Sequence, residues 1–240
     1  MPRCIILCMS PAAKPRKKTM GAPTGSRDLN VAETRDRILR AAIEQFAQHG
    51  FAGARVDAIC AAAEVNQRMV YHYFVDKAGL YLAALEHVLV QLRAEELKLK
   101  FNALADDPLD GLMRMFAFTF NHFAKHPELI RMLSSENLME AKFLKGSVAT
   151  PVVASPMLNQ IAALIKAGEA SSAIRSGIDP LHLYVMMVGC AYFHKSNAFT
   201  LAHIFEAPLH TSKWQKSHYE LAQDVLLNYL KPPPAPRERA

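Results

Sequence analysis

The feature that most constrains this chain is a pair of short helical patterns, residues 56–63 and 67–73, separated only by Glu64-Val65-Asn66. Just upstream, in residues 34–49, Ile38, Ala42 and Phe46 recur every four positions with Leu39, Ile43 and Ala47 alongside. That is an apolar stripe at helical period. Thr34 stands where an N-cap belongs, and Gly50 where a left-handed residue closes a helix. A longer helix backing two short ones across a tight turn is the helix-turn-helix arrangement, which leaves its last helix exposed.

The exposed side of that last helix carries the chemistry. At about 100° per residue, Gln67, Arg68, Tyr71 and His72 fall within an arc of roughly 140°, while Val70 and Phe74 turn toward Ile38, Phe46 and Ile59. The outward set is amide, guanidinium, phenol and imidazole, donors suited to base edges and phosphates in a major groove. Asn66 is placed to cap this helix and aim its first amides at phosphate. Lys77 falls near the start of a fourth helix, where ammonium and helix dipole together suit a second phosphate. A plainer reading stands beside each: Tyr73 and Phe74 suit a core, and Lys77 suits a solvated helix start.

Charge agrees with an anionic partner. The net formal charge is +6, yet residues 34–86 hold six basic and six acidic groups, whereas residues 1–33 hold six basic against two acidic. Residues 1–33 have no periodicity and read as a disordered basic tail, whose Lys14–Lys18 cluster suits a flexible arm along phosphate. The apolar run after Arg3 is shorter than the ~7–15 residues of an export signal. Cys4 and Cys8 lack further ligands nearby, and four scattered cysteines in all fit a reducing cytoplasm better than a disulfide scaffold. No apolar run approaches the ~20 residues of a membrane span; residues 181–193 are broken by His182 and Gly189.

The block from Thr34 to Leu80 resembles the TetR family of bacterial transcriptional regulators. The resemblance is carried by Thr34-Arg35-Asp36-Arg37-Ile38-Leu39 through Phe46, by Gly50-Phe51 and Val56-Asp57-Ala58-Ile59, and above all by residues 65–80, which end in Tyr71-x-Tyr73-Phe74-x-x-Lys77-x-x-Leu80. It implies base or groove contacts from Gln67, Arg68 and His72, and phosphate contacts from Tyr71, Tyr73 and Lys77, with Arg55 to Asp57, at the start of the second helix, close to the backbone. Two positions depart from the family. Glu64 stands where Gly is usual, so it must accept a left-handed backbone at a cost of roughly 1 kcal/mol. Arg55 replaces a Ser or Thr cap for the second helix.

Beyond Lys77 the helical pattern continues to about Ala105, and Pro108, Pro127, Pro151, Pro156, Pro180 and Pro208 punctuate further helical segments, several at first-turn positions after a cap, as in Asp179-Pro180. The expected fold is all-α: a three-helix DNA-binding domain over 34–80, a larger helical effector-binding and dimerisation domain over 81–231, and a disordered Pro-rich tail over 232–240. A Met- and Phe-rich interior suits an adaptable apolar pocket, as well as an ordinary core. The pocket candidates are Met113, Phe116, Phe120, His122, Met157, Ile161, Met187, Cys190 and His194. His122 and His126 stand four apart, a spacing that can share a metal, but the sequence places no third ligand, so no metal or other cofactor is expected.

No nucleophile–base, zinc-protease or phosphate-loop motif appears, and an enzyme is not expected. In the family the final helices pair with a second subunit as a four-helix bundle, and the resemblance implies a homodimer through residues 181–202 and 213–230. Two-fold pairing sets two readers about one helical turn apart (~34–36 Å) or somewhat more and lets them read a palindrome. The expected function is a cytoplasmic, ligand-responsive repressor that leaves its operator when a small apolar or aromatic effector binds. The alternative is a constitutive architectural DNA binder with no effector.

Overall fold

The computed structural model describes residues 24–99, 107–147 and 149–233. Cys4, Cys8, the Lys14–Lys18 cluster and residues 234–240 lie outside them. The described residues form ten α-helices and no strand: α1 Thr24–Gly53, α2 Val56–Ala63, α3 Gln67–Phe74, α4 Lys77–Glu96, α5 Pro108–Lys125, α6 Pro127–Leu138, α7 Ala149–Ala170, α8 Pro180–Ser196, α9 Ala198–Ile204 and α10 Ser212–Leu230. The expected all-α architecture is what folds.

Local chemistry sets most of these limits. Gly50 at φ 67° interrupts α1 with a left-handed backbone, as its position in the sequence anticipates. Asn66 Oδ1 accepts from Met69 N at 2.9 Å, closing the start of α3. Asp76 accepts from Gly79 N, Asp107 from Leu109 N and Asp179 from His182 N, with Pro108 and Pro180 in the first turns they precede. Glu64 takes the left-handed conformation its position demands, at φ 52°, and Val65 N donates to Cys60 O, so the α2 end closes despite the missing glycine. Arg55 makes no side-chain cap, also as expected.

Thr34 is a correction. No Gly or Pro interrupts residues 26–33, so the helix runs back to Thr24: residues 24–33, expected in the disordered tail, are helical, and Thr34 lies buried inside α1 and not at its start. Helix α4 ends at Glu96, before Ala105. Pro156 sits within α7 and does not start a helix.

The core is continuous through both halves of the chain. Ile38, Leu39 and Phe46 of α1 share one buried core with Ile59 of α2, Val70 and Phe74 of α3 and Leu80 of α4, so α2 and α3 are held from behind. Phe46 and Phe51 then meet Tyr81 at 4.9 and 5.3 Å between ring centroids, and Phe143, beyond α6, closes on Tyr81 at 4.9 Å and on Phe51 at 4.5 Å. The Glu136 carboxylate, buried, places Phe143 by accepting the N–H groups of Phe143 and Leu144 at 2.7 and 2.9 Å. Farther on, Arg93 and Glu96 form a buried ion pair, and Arg93 also donates to Tyr184 Oη at 2.8 Å, tying α4 to α8.

The α3–α4 corner is tight and strained. Val75 sits at φ 65°, ψ −58°, the centre of a γ-turn closed by Asp76 N donating to Phe74 O at 2.7 Å; a β-branched residue is a true outlier there. A Cβ on Gly79 would lie 2.3 Å from the Phe74 carbonyl oxygen. Gly79→Ala is expected to lower unfolding stability by about 1–3 kcal/mol through overpacking against backbone. Val75→Gly, at a side chain 82% exposed, is expected to raise it by up to about 1 kcal/mol as strain relief outweighs added chain entropy. Urea denaturation of the two variants measures both, and equal midpoints would contradict the reading.

Candidate nucleic-acid interface and effector cavity

Helix α3 divides as its sequence demands. Val70 and Phe74 are buried, while Gln67, Arg68, Tyr71 and His72 are exposed on the opposite side. Gln67 Nε2 donates to Tyr71 Oη at 3.3 Å, and the His72 and Tyr73 rings meet edge to face at 5.3 Å. Tyr73 is half-buried, its side chain packed against the core. Arg68 and His72 flank a shallow cleft with Asn66, Met69 and Tyr73. Neither Arg68 nor Arg55, exposed at the start of α2, has an ion-pair partner among the described residues. The neighbouring Arg37 and Arg40 do, with Glu64 and Asp36. Two guanidiniums free of carboxylates therefore stand at the leading ends of α2 and α3, where helix dipoles also favour anions.

Lys77 is placed differently from a solvated phosphate hook. Its Nζ donates to Ala52 O at 3.4 Å and lies 5.0 Å from the Phe51 ring centre, which ties the start of α4 to the end of α1. Two of its three N–H donors stay available for a phosphate.

The pocket candidates gather mostly as core. Phe116, Phe120, His122, Met157, Ile161, Met187 and His194 are buried, and Met113 and Cys190 are half-buried against the same core. Phe116 stacks on Tyr219 at 5.7 Å and 9°, so its place is filled by a partner ring. None of the nine lines a cavity of about 570 Å³ that the described residues enclose. That cavity lies one layer away. Its walls are Phe123, Pro127, Ile130 and Leu138 from α5 and α6, Ala198 and Phe199 from α9, and Gly50 and Ser135 where α1 meets α6. Arg131, Lys195 and His210 also line it, with no acidic residue among the described lining. Lys195 Nζ donates to Gln215 Oε1 at 2.6 Å and lies 5.5 Å from the Phe120 ring centre; burial pushes its ammonium below the usual lysine range. Sequence reasoning passed over this lining because residues of six helices, from α1 to α10, build it; the Phe-rich segments holding Phe123 and Phe199 were its visible trace.

These two features, a donor-rich exposed helix and a cavity touching its supporting helix, are those of a helix-turn-helix regulator, and the comparisons agree. Residues 38–84 match the family described as bacterial regulatory proteins, tetR family, and residues 108–226 match the tetracyclin repressor-like C-terminal domain. The HTH-type transcriptional repressor NicS of Pseudomonas putida is 30% identical over 208 residues, spanning 87% of this chain and 97% of that protein. The HTH-type transcriptional regulator RutR of Escherichia coli is 27% identical over 218 residues, 89% of this chain and 99% of its own. A putative transcriptional regulator of Streptomyces coelicolor, SCO4942, shares the fold with TM-score 0.59 at 24% identity, covering 83% of this chain and 99% of that one. The chain belongs to the TetR family of transcriptional regulators.

Beside the cavity, His194 is 3% exposed and stacks on Phe120 at 5.2 Å and 19°. Its Nδ1 lies 3.2 Å from Cys190 O, and its Nε2 is buried with no hydrogen-bond partner. Burial first, then His218 and Lys195, push its pKa down to about 4. A histidine held neutral in the fold binds its proton more readily when unfolded, so its contribution is complete above the ordinary value of about 6.5 and is lost as pH falls toward about 4. Unfolding stability is expected to drop by on the order of 2–3 kcal/mol between pH 7 and pH 4 from this group, and His194→Gln to flatten that part of the profile. Parallel pH profiles for wild type and variant would refute the assignment.

Proposed function

We propose that this chain is a cytoplasmic, ligand-responsive repressor that binds a palindromic operator as a homodimer and releases it when a small, mainly apolar or aromatic effector fills the cavity beside α6. The observation that carries the reading is the position of that cavity, whose wall includes both Gly50, at the break in the helix that backs the reader, and Ser135 of α6. An occupant there bears directly on the seam between reader and effector domain. Its size fits the ~300–1,000 Å³ of small-molecule sites. Its apolar walls suit an aromatic or aliphatic body, and Arg131 and Lys195 suit an acceptor group at one end. That NicS is named a repressor supports repression as the sign of control.

Pairing has its own support. Leu181, Val185 and Phe193 on α8, and Leu221, Val225 and Tyr229 on α10, repeat at multiples of four residues and stand 37–61% exposed. Two apolar helix faces left in water suit a second copy of themselves, related by a two-fold axis. Release requires the effector to bind the non-operator state more tightly, commonly by 1–3 kcal/mol of coupling. The seven residues Arg55, Gln67, Arg68, Tyr71, His72, Tyr73 and Lys77 make the operator contacts.

Arg68→Ala is expected to keep its fold and dimer while losing about 1–3 kcal/mol of operator affinity, measured by fluorescence anisotropy on the DNA upstream of its own gene. Unchanged affinity removes Arg68 from the reader, and equal binding to random DNA at physiological salt marks an architectural binder instead. Lys195→Met is expected to bind the operator as wild type does, yet to need at least about tenfold more effector for release, a loss of roughly 1.4 kcal/mol. A panel of small aromatic acids and their neutral amides, screened by thermal shift and then against the operator complex, provides the effector for that comparison; an unaltered release curve would place the effector elsewhere.

A further inference from the structure

One cluster of ligating side chains stands apart from both the reader and the cavity. Glu95 lies in the last turn of α4, His122 in the last turn of α5, and His126 at the corner between α5 and α6. One ligand atom from each lies within 4.8 Å of the other two. His122 Nδ1 is 3.1 Å from Glu95 Oε2, and the imidazoles of His122 and His126 face one another at 4.2 Å between centroids and 26° between planes. The third partner that the His122/His126 spacing lacks in the sequence is thus supplied by the fold, from a residue on another helix. A fourth group is equally telling: Glu128 Oε1 lies 2.8 Å from His126 Nδ1. A metal-bound imidazole characteristically gives its other ring N–H to a carboxylate, which fixes the tautomer and aims the free nitrogen. Glu128 stands in that place behind His126.

We propose that Glu95, His122 and His126 form a site for one divalent transition-metal ion of the Zn²⁺ or Co²⁺ kind, with Glu128 orienting His126. Two imidazoles and one carboxylate are too rich in nitrogen for Ca²⁺ or Mg²⁺, which take oxygen ligands, and hold no thiolate for softer ions. Three protein ligands leave at least one coordination position for water or a small ligand. Donors bound at about 2.1 Å can stand at most ~4.2 Å apart across the ion, so a modest rotation of the half-buried His126 or Glu95 side chain closes the set. The ion fastens the far end of α4, the helix that begins at Lys77 beside the reader, to the corner that starts α6.

The test uses the full-length protein, stripped with a chelator and titrated with Co²⁺ alone, followed by visible absorption, with Zn²⁺ displacement as the second reading. The expected result is saturation at one ion per chain, a rise in melting temperature, and displacement by Zn²⁺. Glu95→Gln and His126→Gln, both at partly exposed positions, are expected to weaken binding at least tenfold with unchanged circular dichroism; Glu128→Gln is expected to weaken it about tenfold. Binding well short of one equivalent, or a Glu95→Gln/His126→Gln double variant that binds Co²⁺ as wild type does, overturns the site.

Discussion

The packing of Phe46, Phe51 and Phe143 around Tyr81 is the interaction on which the rest of this structure depends. Tyr81 is fully buried, and the three phenylalanines reach it from α1, from the turn that ends α1, and from the segment after α6. Each such ring buries on the order of 150–250 Å², and edge-on geometry adds about 0.5–1.5 kcal/mol per pair. Because support comes from behind, α3 needs only Val70 and Phe74 as anchors, and its remaining surface is free for polar side chains.

Polarity inside the molecule is placed economically. Glu136 is buried but accepts two backbone N–H groups, so it acts as a clip for the loop bearing Phe143. Arg93 and Glu96 bury opposite charges together, with the Tyr184 hydroxyl satisfying a further guanidinium donor. Removing one member of such a pair is costly because the other is left charged and dry, whereas the intact pair adds little net stability. These groups specify which helix faces meet; the apolar core supplies the driving force.

From Gly50 to the start of α3 the helix limits were legible in the sequence because local signals mark them. Gly50, Asn66 and the three-residue turn act within a few residues of where they stand, and the left-handed backbone at Glu64 was implied by the resemblance to the family, which usually has Gly there. The start of α1 was not legible, since residues 26–33 are mostly polar and hold neither Gly nor Pro, and the stripe merely begins where burial begins. Neither was the cavity. Met and Phe are equally at home in a packed core and a pocket wall, and only the fold reveals that Phe116 is covered by Tyr219 while Phe123, packed on Tyr192, also lines the cavity. The Lys77 ammonium folds back onto Ala52 and Phe51 for the same reason: its nearest acceptor is 25 residues away in sequence.

The close approach of Gly79 to the Phe74 carbonyl leaves no slack where the two helices abut. A joint without slack transmits rotation undamped, so α3 and α4 turn together as one rigid crank. In the homodimer proposed above, the pitch and length of α4 would then govern how far each half of a palindrome can be reached, and a change in operator spacing would be met by altering α4 far from any base pair.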